Sequence, residues 1–149
     1  MRRILITAVL ASGACDANAK TPPKKQVTAK TLCSRSEEAI IVHAIFDVAY
    51  TKISYGPPRT IRQLYSFACR PDGTCKGQIF DLNNVDDGKP ITAMDIGTME
   101  GAEVVSVAGD IAVVRWGPLR TFTIDYERKE VTYVESNDST YGRATVRCP

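Results

Sequence analysis

Two segments of the chain share a residue pattern that can bind an anionic group. Residues 55–61 and 116–122 both follow the order aromatic-Gly-Pro-x-Arg-Thr-apolar. Their aromatic residues are Tyr55 and Trp116, and their arginines are Arg59 and Arg120. A guanidinium group binds carboxylate or phosphate through two parallel hydrogen bonds, and an aromatic ring adds contact area. We therefore predict that these four residues form one binding surface for an anionic glycan, a peptide carboxylate or an acidic partner loop.

Turn chemistry alone also explains both segments, because Gly adopts unusual φ values and Pro fixes φ. In that interpretation the segments are corners that lead into strands beginning near Ile61 and Phe122. The two arginines share a surface only if those strands are equivalent parts of one sheet or barrel. Otherwise we expect each arginine to pair with a neighbouring acid and each aromatic ring to belong to the core.

Other patterns of known chemistry are missing from the sequence. His43 is the only histidine, and it lies in an apolar run where we expect a structural role. The sequence has no P-loop, no Gly-x-Gly-x-x-Gly and no Gly-x-Ser-x-Gly. Residues 81–88 depart from the calcium-loop template, so a polar turn is the preferred interpretation there. We predict no catalytic residue, no cofactor and no metal site, and the net charge of +2 argues against a nucleic-acid partner.

The N-terminus has the features of an export signal. Arg2 and Arg3 precede a short apolar run, and Ala17-Asn18-Ala19 has the small-x-small form that signal peptidase cleaves. We predict a signal peptide over residues 1–19 and a periplasmic or secreted domain. The alternative is a lipoprotein anchored at Cys15, although Ser12 does not suit that motif. The apolar run is too short to span a bilayer, and we predict no transmembrane segment.

The cysteines outside that signal predict two disulfides. Cys33, Cys69, Cys75 and Cys148 form an even set, as is typical of an exported chain. Cys69 and Cys75 flank a Pro-Asp-Gly turn, so they should face each other across a hairpin. That leaves Cys33 to pair with Cys148. A four-cysteine zinc site is the alternative, which the spacing disfavours.

The elements that would position these residues are mostly strands. We predict a basic flexible tail over residues 20–32, without a strand or helix, and a single β-rich domain over residues 33–149. Alternating residues from 121 to 126 and a second strand from 131 to 134 indicate a meander. The expected fold is mainly β, a small antiparallel β-sandwich or barrel-like meander stapled by the two disulfides. If residues 37–50 form a helix instead of a strand, the fold becomes α+β.

These observations favour a binding or inhibitor-like domain of the cell envelope that has no catalytic machinery. The support is a disulfide-stapled scaffold together with the missing catalytic patterns. A secreted hydrolase that uses carboxylates is an alternative, because residues 81–110 hold seven acidic residues against one lysine. A lipid-anchored structural protein of the envelope is another. The partner, an envelope protein or an anionic glycan, is not specified by the sequence.

Overall fold

The computed structural model describes residues 24–26, 30–54, 56–82 and 92–149. Every regular element in these ranges is a β-strand. The strands are β1 Lys24–Gln26, β2 Leu32–Arg35, β3 Ile40–Lys52, β4 Arg59–Cys69, β5 Cys75–Asp81, β6 Thr92–Thr98, β7 Ala102–Ala108, β8 Ile111–Trp116, β9 Arg120–Asp125, β10 Glu130–Ser136 and β11 Tyr141–Arg147. Within the described ranges, no helix is long and apolar enough to cross a membrane.

The strands form one antiparallel sheet that curls into a half-barrel. Its order is β1-β6-β5-β4-β3-β11-β10-β9-β8-β7, and β2 pairs with β3. The expected meander is therefore present from β7 to β11. One margin of the sheet, β7, meets the turn between β4 and β5, where Val104 N–H donates to the Gly73 carbonyl at 2.7 Å. Of the two architectures that the sequence left open, the structure confirms the barrel-like one.

The long strand β3 confirms the strand prediction for residues 40–50. Val42, Phe46 and Val48 are fully buried and alternate with more exposed residues, as period-two packing requires. The helix alternative over residues 37–50 is wrong. Ser36 Oγ accepts the N–H groups of Glu38 and Ala39, which makes a turn between β2 and β3 instead of a helix cap.

The core lies on the concave side of the sheet and is rich in aromatic rings. The ring centroids of Phe46, Tyr65 and Phe122 lie 5.2–6.0 Å apart in edge-to-face arrangements. Such arrangements suit the ring quadrupoles and hold the rings in fixed orientations. The ring of Tyr133 lies 5.0 Å from that of Phe122, and the residue is fully buried, with its hydroxyl group hydrogen-bonded to Glu135. The candidate site lies next to this aromatic cluster, and Tyr65 belongs to both.

Both predicted disulfides are confirmed. Cys69 and Cys75 are directly paired residues of β4 and β5. Cys33 and Cys148 join β2 to the end of the chain across a sequence separation of 115 residues. The first bridge closes a hairpin, and the second ties the start of the domain to its end.

The predicted tail needs a correction. Lys24–Gln26 forms the short strand β1 on the outer edge of β6, where we expected no strand. The unpaired backbone groups of a sheet edge offer hydrogen bonds to any extended segment, whatever its composition. The basic composition of residues 20–32 carried no sign of that pairing.

Candidate binding site at the mouth of the half-barrel

Six strands line a cavity of about 260 Å³ at one end of the curl, which we call the mouth cavity. Its lining residues come from β3, β4, β5, β8, β9 and β10 and their connections: Tyr50, Ile53, Ile61, Gln63, Tyr65, Ile79, Trp116, Arg120, Glu135 and Thr140. The walls are mostly aromatic and aliphatic, whereas Arg120 and Glu135 supply the charge. Such a combination of apolar walls and a few convergent polar groups is typical of small-molecule sites.

The hairpin between β8 and β9 places Trp116 beside Arg120. Three residues separate them, and Gly117 takes the positive φ of 61° that this turn needs. Trp116 and Arg120 are then directly paired across the two strands, so their side chains lie on the same face. The Arg120 guanidinium carbon lies 4.5 Å from the centre of the Trp116 ring, a cation–π contact.

Glu135 fixes the guanidinium from the other side. It is the residue of β10 directly opposite Arg120, and its Oε1 accepts from Arg120 Nη2 at 3.1 Å. The Glu135 side chain is only 12% exposed, whereas that of Arg120 is 34% exposed. The charge pair therefore spans the boundary between the core and the cavity.

Two tyrosines complete the shell around this carboxylate. The hydroxyl groups of Tyr50 and Tyr133 donate to Glu135 Oε2 at 2.7 and 2.9 Å. Glu135 thus accepts three charge-assisted hydrogen bonds, which are stronger than neutral ones. Because both of its oxygens are engaged, the carboxylate acts as a structural anchor for Arg120.

Burial keeps the tyrosines around the cavity, Tyr50 and Tyr65, protonated. Loss of hydration raises the pKa of Tyr65 to about 12. Burial, reinforced by the nearby Glu135 carboxylate, likewise holds the pKa of Tyr50 well above its ordinary value. For Arg120, burial opposes the charged form and is the largest single effect, but Glu135 together with Tyr133 and Tyr65 outweighs it, and the pKa of the guanidinium is raised. The site therefore presents a permanent cation held by one carboxylate, to which neutral tyrosine hydroxyl groups also donate.

Arg120 has donor capacity left over. A guanidinium carries five N–H donors. Among the described residues, Glu135 accepts from Nη2, and the hydroxyl groups of Tyr133 and Tyr65 also interact with the guanidinium. The remaining N–H groups are available to a ligand in the mouth cavity, and an acceptor with two oxygens, such as a carboxylate, matches their geometry.

The structure brings together part of the predicted site. Trp116 and Arg120 line the same cavity. Arg59 is directly opposite Tyr50 in the β3–β4 pairing, so it belongs to the same face and the same end of the sheet. Tyr55 lies outside the described residues. That these residues bind a ligand remains a prediction.

The two repeated segments are not geometrically equivalent. Both lead directly into a strand, because β4 begins at Arg59 and β9 begins at Arg120. However, β8 and β9 are joined by three residues, whereas residues 53–58 separate β3 from β4. The aromatic–arginine stack is therefore a product of the tight β8–β9 hairpin.

Sequence reasoning missed Glu135 and Tyr50. The position of Glu135 could have been predicted from the sequence. A hairpin that turns at residues 127–129 pairs β9 with β10 in a register that sets Glu135 opposite Arg120. Tyr50 carried no comparable signal, since its contact with Glu135 joins residues 85 positions apart. His43, which we expected to be structural, lies 3.0 Å through Nδ1 from Ser66 Oγ and does not line the mouth cavity.

Comparison with known proteins finds no matching family model, no similar curated protein and no similar solved structure.

Proposed function

We propose that this chain is an exported binding domain whose mouth cavity takes a small ligand with a carboxylate group. The observation that carries the proposal is the position of Arg120. Its side chain is one-third exposed, and its guanidinium group pairs with Glu135 and stacks on Trp116. A cation held in one orientation loses little side-chain entropy when it binds an oxyanion. The sequence favours a binding domain, and we propose the mouth cavity as its binding site.

The cavity limits the rest of the ligand. Its volume of about 260 Å³ is smaller than the roughly 300–1,000 Å³ of sites for drug-sized molecules. Ile53, Ile61 and Ile79 line it beside the charged pair. The matching ligand has a carboxylate and a short apolar part, either as a free small molecule or as the end of a larger one.

Charge balance around Arg120 is compatible with a further anion. Glu135 neutralises one positive charge, but its own oxygens are covered by Arg120, Tyr50 and Tyr133. Among the described residues that line the cavity, Arg120 is the sole cation. A ligand carboxylate would therefore meet N–H donors first, not the carboxylate oxygens of Glu135.

The test uses two probes of nearly the same size and shape, one an anionic carboxylate and the other a neutral amide. We expect hexanoate to bind the protein with a millimolar Kd, measured by calorimetry or NMR titration, and hexanamide to bind at least about tenfold more weakly. Arg120→Ala should abolish that preference. The matched control is Arg115→Ala, because Arg115 pairs with Glu103 in the open, with both side chains more than half exposed. Equal binding of the two probes, or no binding of either, would refute the proposal.

The hydrolase alternative has less support from this site. Two close carboxylates would favour it. Among the described residues that line the mouth cavity, Glu135 is the sole carboxylate, and its oxygens are occupied by hydrogen bonds. We therefore retain the binding domain as the proposed function.

Export is the second part of the proposal. Two disulfides are compatible with an oxidising compartment. The predicted signal peptide over residues 1–19 lies outside the described residues. We expect intact-mass analysis of the exported protein to place its N-terminus at Lys20. A diacylglyceryl mass on Cys15 would show instead that the chain is a lipoprotein.

A further inference from the structure

Gln63 is a further polar residue of the mouth cavity, and half of its amide group is unused within the described ranges. The Tyr65 hydroxyl group donates to Gln63 Oε1 at 2.9 Å. An amide side chain carries an acceptor oxygen and a nitrogen with two N–H donors. Among the described residues, no hydrogen bond uses Gln63 Nε2. Because the amide oxygen is taken, Gln63 offers a ligand a hydrogen-bond donor.

The strand β4 directs this amide into the cavity. Gln63 is directly paired with Phe46, a fully buried residue of the concave core. Directly paired residues share a face of the sheet, so Gln63 also lies on the concave side. It lines the mouth cavity together with Ile61 and Tyr65, the residues two positions away along β4.

Gln63 and Arg120 lie at the same depth of the cavity. The rings of Tyr65 and Phe122 meet across the curl, with 5.2 Å between their centroids. Successive antiparallel pairings through β3, β11 and β10 give β4 and β9 the same direction. Gln63 precedes Tyr65 by two residues, and Arg120 precedes Phe122 by two residues. Each therefore lies about 6.6 Å along its strand from the ring contact, toward the mouth.

At this depth the site offers donors, and its acceptors are occupied. Arg120 has N–H groups beyond the one that Glu135 accepts, and Gln63 adds those of Nε2. Both oxygens of Glu135 already accept hydrogen bonds, and Gln63 Oε1 accepts from Tyr65. A matching ligand therefore carries acceptor oxygens at this depth.

The aliphatic part of the wall limits where the second acceptor can be. Ile61 follows Gln63 toward the mouth on the same face of β4, and Ile53 lines the cavity as well. An oxygen farther along the ligand chain would face these isoleucines instead of the amide. The second acceptor therefore belongs on the carbon next to the carboxylate. A ketone oxygen there only accepts, whereas a hydroxyl group would add a donor at a depth where the acceptors are occupied.

We propose that Gln63 is a specificity-determining residue of the mouth cavity and that the ligand is a 2-oxo carboxylic acid with a short aliphatic chain. Arg120 binds the carboxylate, and Gln63 Nε2 donates to the ketone oxygen. This inference rests on the proposed function, because it requires a carboxylate at Arg120, and it adds the class of ligand.

Three probes with the same six-carbon chain separate the ketone oxygen from its shape: hexanoate, 2-oxohexanoate and 2-methylidenehexanoate. The last has a planar CH₂ group in place of the ketone oxygen. We expect 2-oxohexanoate to bind roughly three- to tenfold more tightly than either of the others, since one net hydrogen bond has about that effect. Calorimetry or NMR titration of the mature protein measures the three dissociation constants.

Two variants assign the preference to Gln63. Gln63→Leu removes the amide with little change in size, and the ratio of the Kd of hexanoate to that of 2-oxohexanoate should fall to about one. The matched control is Gln78→Leu, because Gln78 is exposed on β5 and is paired with Ser66, on the other face of the sheet. That variant should keep the ratio of the unchanged protein.

A measurement on the unchanged protein decides the question if Gln63→Leu does not fold. The side-chain amide signals of Gln63 should shift and saturate with 2-oxohexanoate, and should move little with 2-methylidenehexanoate. Amide signals that respond equally to both probes would overturn the inference.

The outcomes separate this inference from the proposed function. Equal binding of the three probes, with hexanoate still preferred over hexanamide, would overturn the inference and leave the proposed function intact. A preference that folded Gln63→Leu retains, or tighter binding of 2-hydroxyhexanoate than of 2-oxohexanoate, would do the same. No binding of any carboxylate would refute the proposed function, and this inference with it.

Discussion

At the residue scale, the side chains of the mouth cavity depend on one carboxylate. Glu135 is held by Tyr50, Tyr133 and Arg120, and Arg120 is in turn the group that we propose binds a ligand. Hydrogen bonds to a charged group contribute more than neutral ones, roughly 1.5–3 kcal/mol where they are buried. Removing one donor should therefore affect the stability of the fold and the orientation of the guanidinium together.

We expect Tyr50→Phe to reduce the free energy of unfolding by about 1–2 kcal/mol, because it removes one donor from Glu135 while keeping the ring. Urea denaturation measures the change. The matched control is Tyr141→Phe, since Tyr141 is 39% exposed and such surface changes stay within about 0.5 kcal/mol. Equal effects of the two variants would show that the Tyr50 hydrogen bond contributes nothing.

Because the buried tyrosines have raised pKa values, we expect the free energy of unfolding to decrease at alkaline pH. In an unfolded chain a tyrosine titrates at a pKa of about 10, whereas in the fold the pKa of Tyr65 is raised to about 12. Since the folded state holds its protons more tightly, this stabilisation is complete below a pH of about 10 and is lost as the pH rises through about 12.

We therefore expect the free energy of unfolding, measured in urea, to decrease over that window. The absorbance change of the buried tyrosines should coincide with unfolding followed by circular dichroism. Ionisation of all the tyrosines while the native spectrum persists would contradict this.

At the element scale, the close approach of strands depends on two glycines. A Cβ at Gly77 of β5 would lie 2.5 Å from Phe67 Cβ and 2.6 Å from the Ser66 carbonyl oxygen, both held by β4. A Cβ at Gly142 of β11 would lie 2.6 Å from ring atoms of Tyr50. The first clash is with backbone and a Cβ, whereas the second is with a ring that can turn.

We expect Gly77→Ala to destabilise the fold by about 3 kcal/mol and Gly142→Ala by about 1 kcal/mol, since overpacking costs about 1–3 kcal/mol and depends on what can move. Thermal or urea unfolding measures both. Gly142→Ala should in addition weaken hexanoate binding, because it displaces Tyr50 from Glu135. The reverse order of destabilisation would contradict the strand pairing described for β4 and β5.

The elements show which parts of the sequence were informative. The alternation in β3 and the Pro-Asp-Gly turn between Cys69 and Cys75 are local signals, and both led to correct predictions. The strand β1 was missed because its cause is the edge of β6, some seventy residues away in sequence. The contact of Tyr50 with Glu135 was missed for the same reason, since only the curl of the sheet brings them together.

At the scale of the whole molecule, the two disulfides contribute differently. Cys33–Cys148 closes a loop with a sequence separation of 115, whereas Cys69–Cys75 closes one of 6. In the chain-entropy model the long loop stabilises the fold by about 4–5 kcal/mol and the short one by roughly 2. The long bridge also fixes β2 to the end of the meander.

We expect the double variant Cys33→Ser/Cys148→Ser to lose roughly twice as much unfolding free energy as Cys69→Ser/Cys75→Ser, measured by urea denaturation. Each double variant controls for the other, because both replace two cysteines by serines. A larger loss from the hairpin bridge would mean that chain entropy does not govern the contribution of these disulfides.

The binding function that we propose for the whole molecule depends on the oriented cation of Arg120 in the mouth cavity. The most direct test follows the Trp116 indole N–H and the Arg120 Nε–H by NMR during titration with hexanoate. We predict that these two signals shift first and saturate together, and that hexanamide leaves the Arg120 signal in place. Saturating shifts that map elsewhere on the protein while both signals stay unchanged would contradict the account.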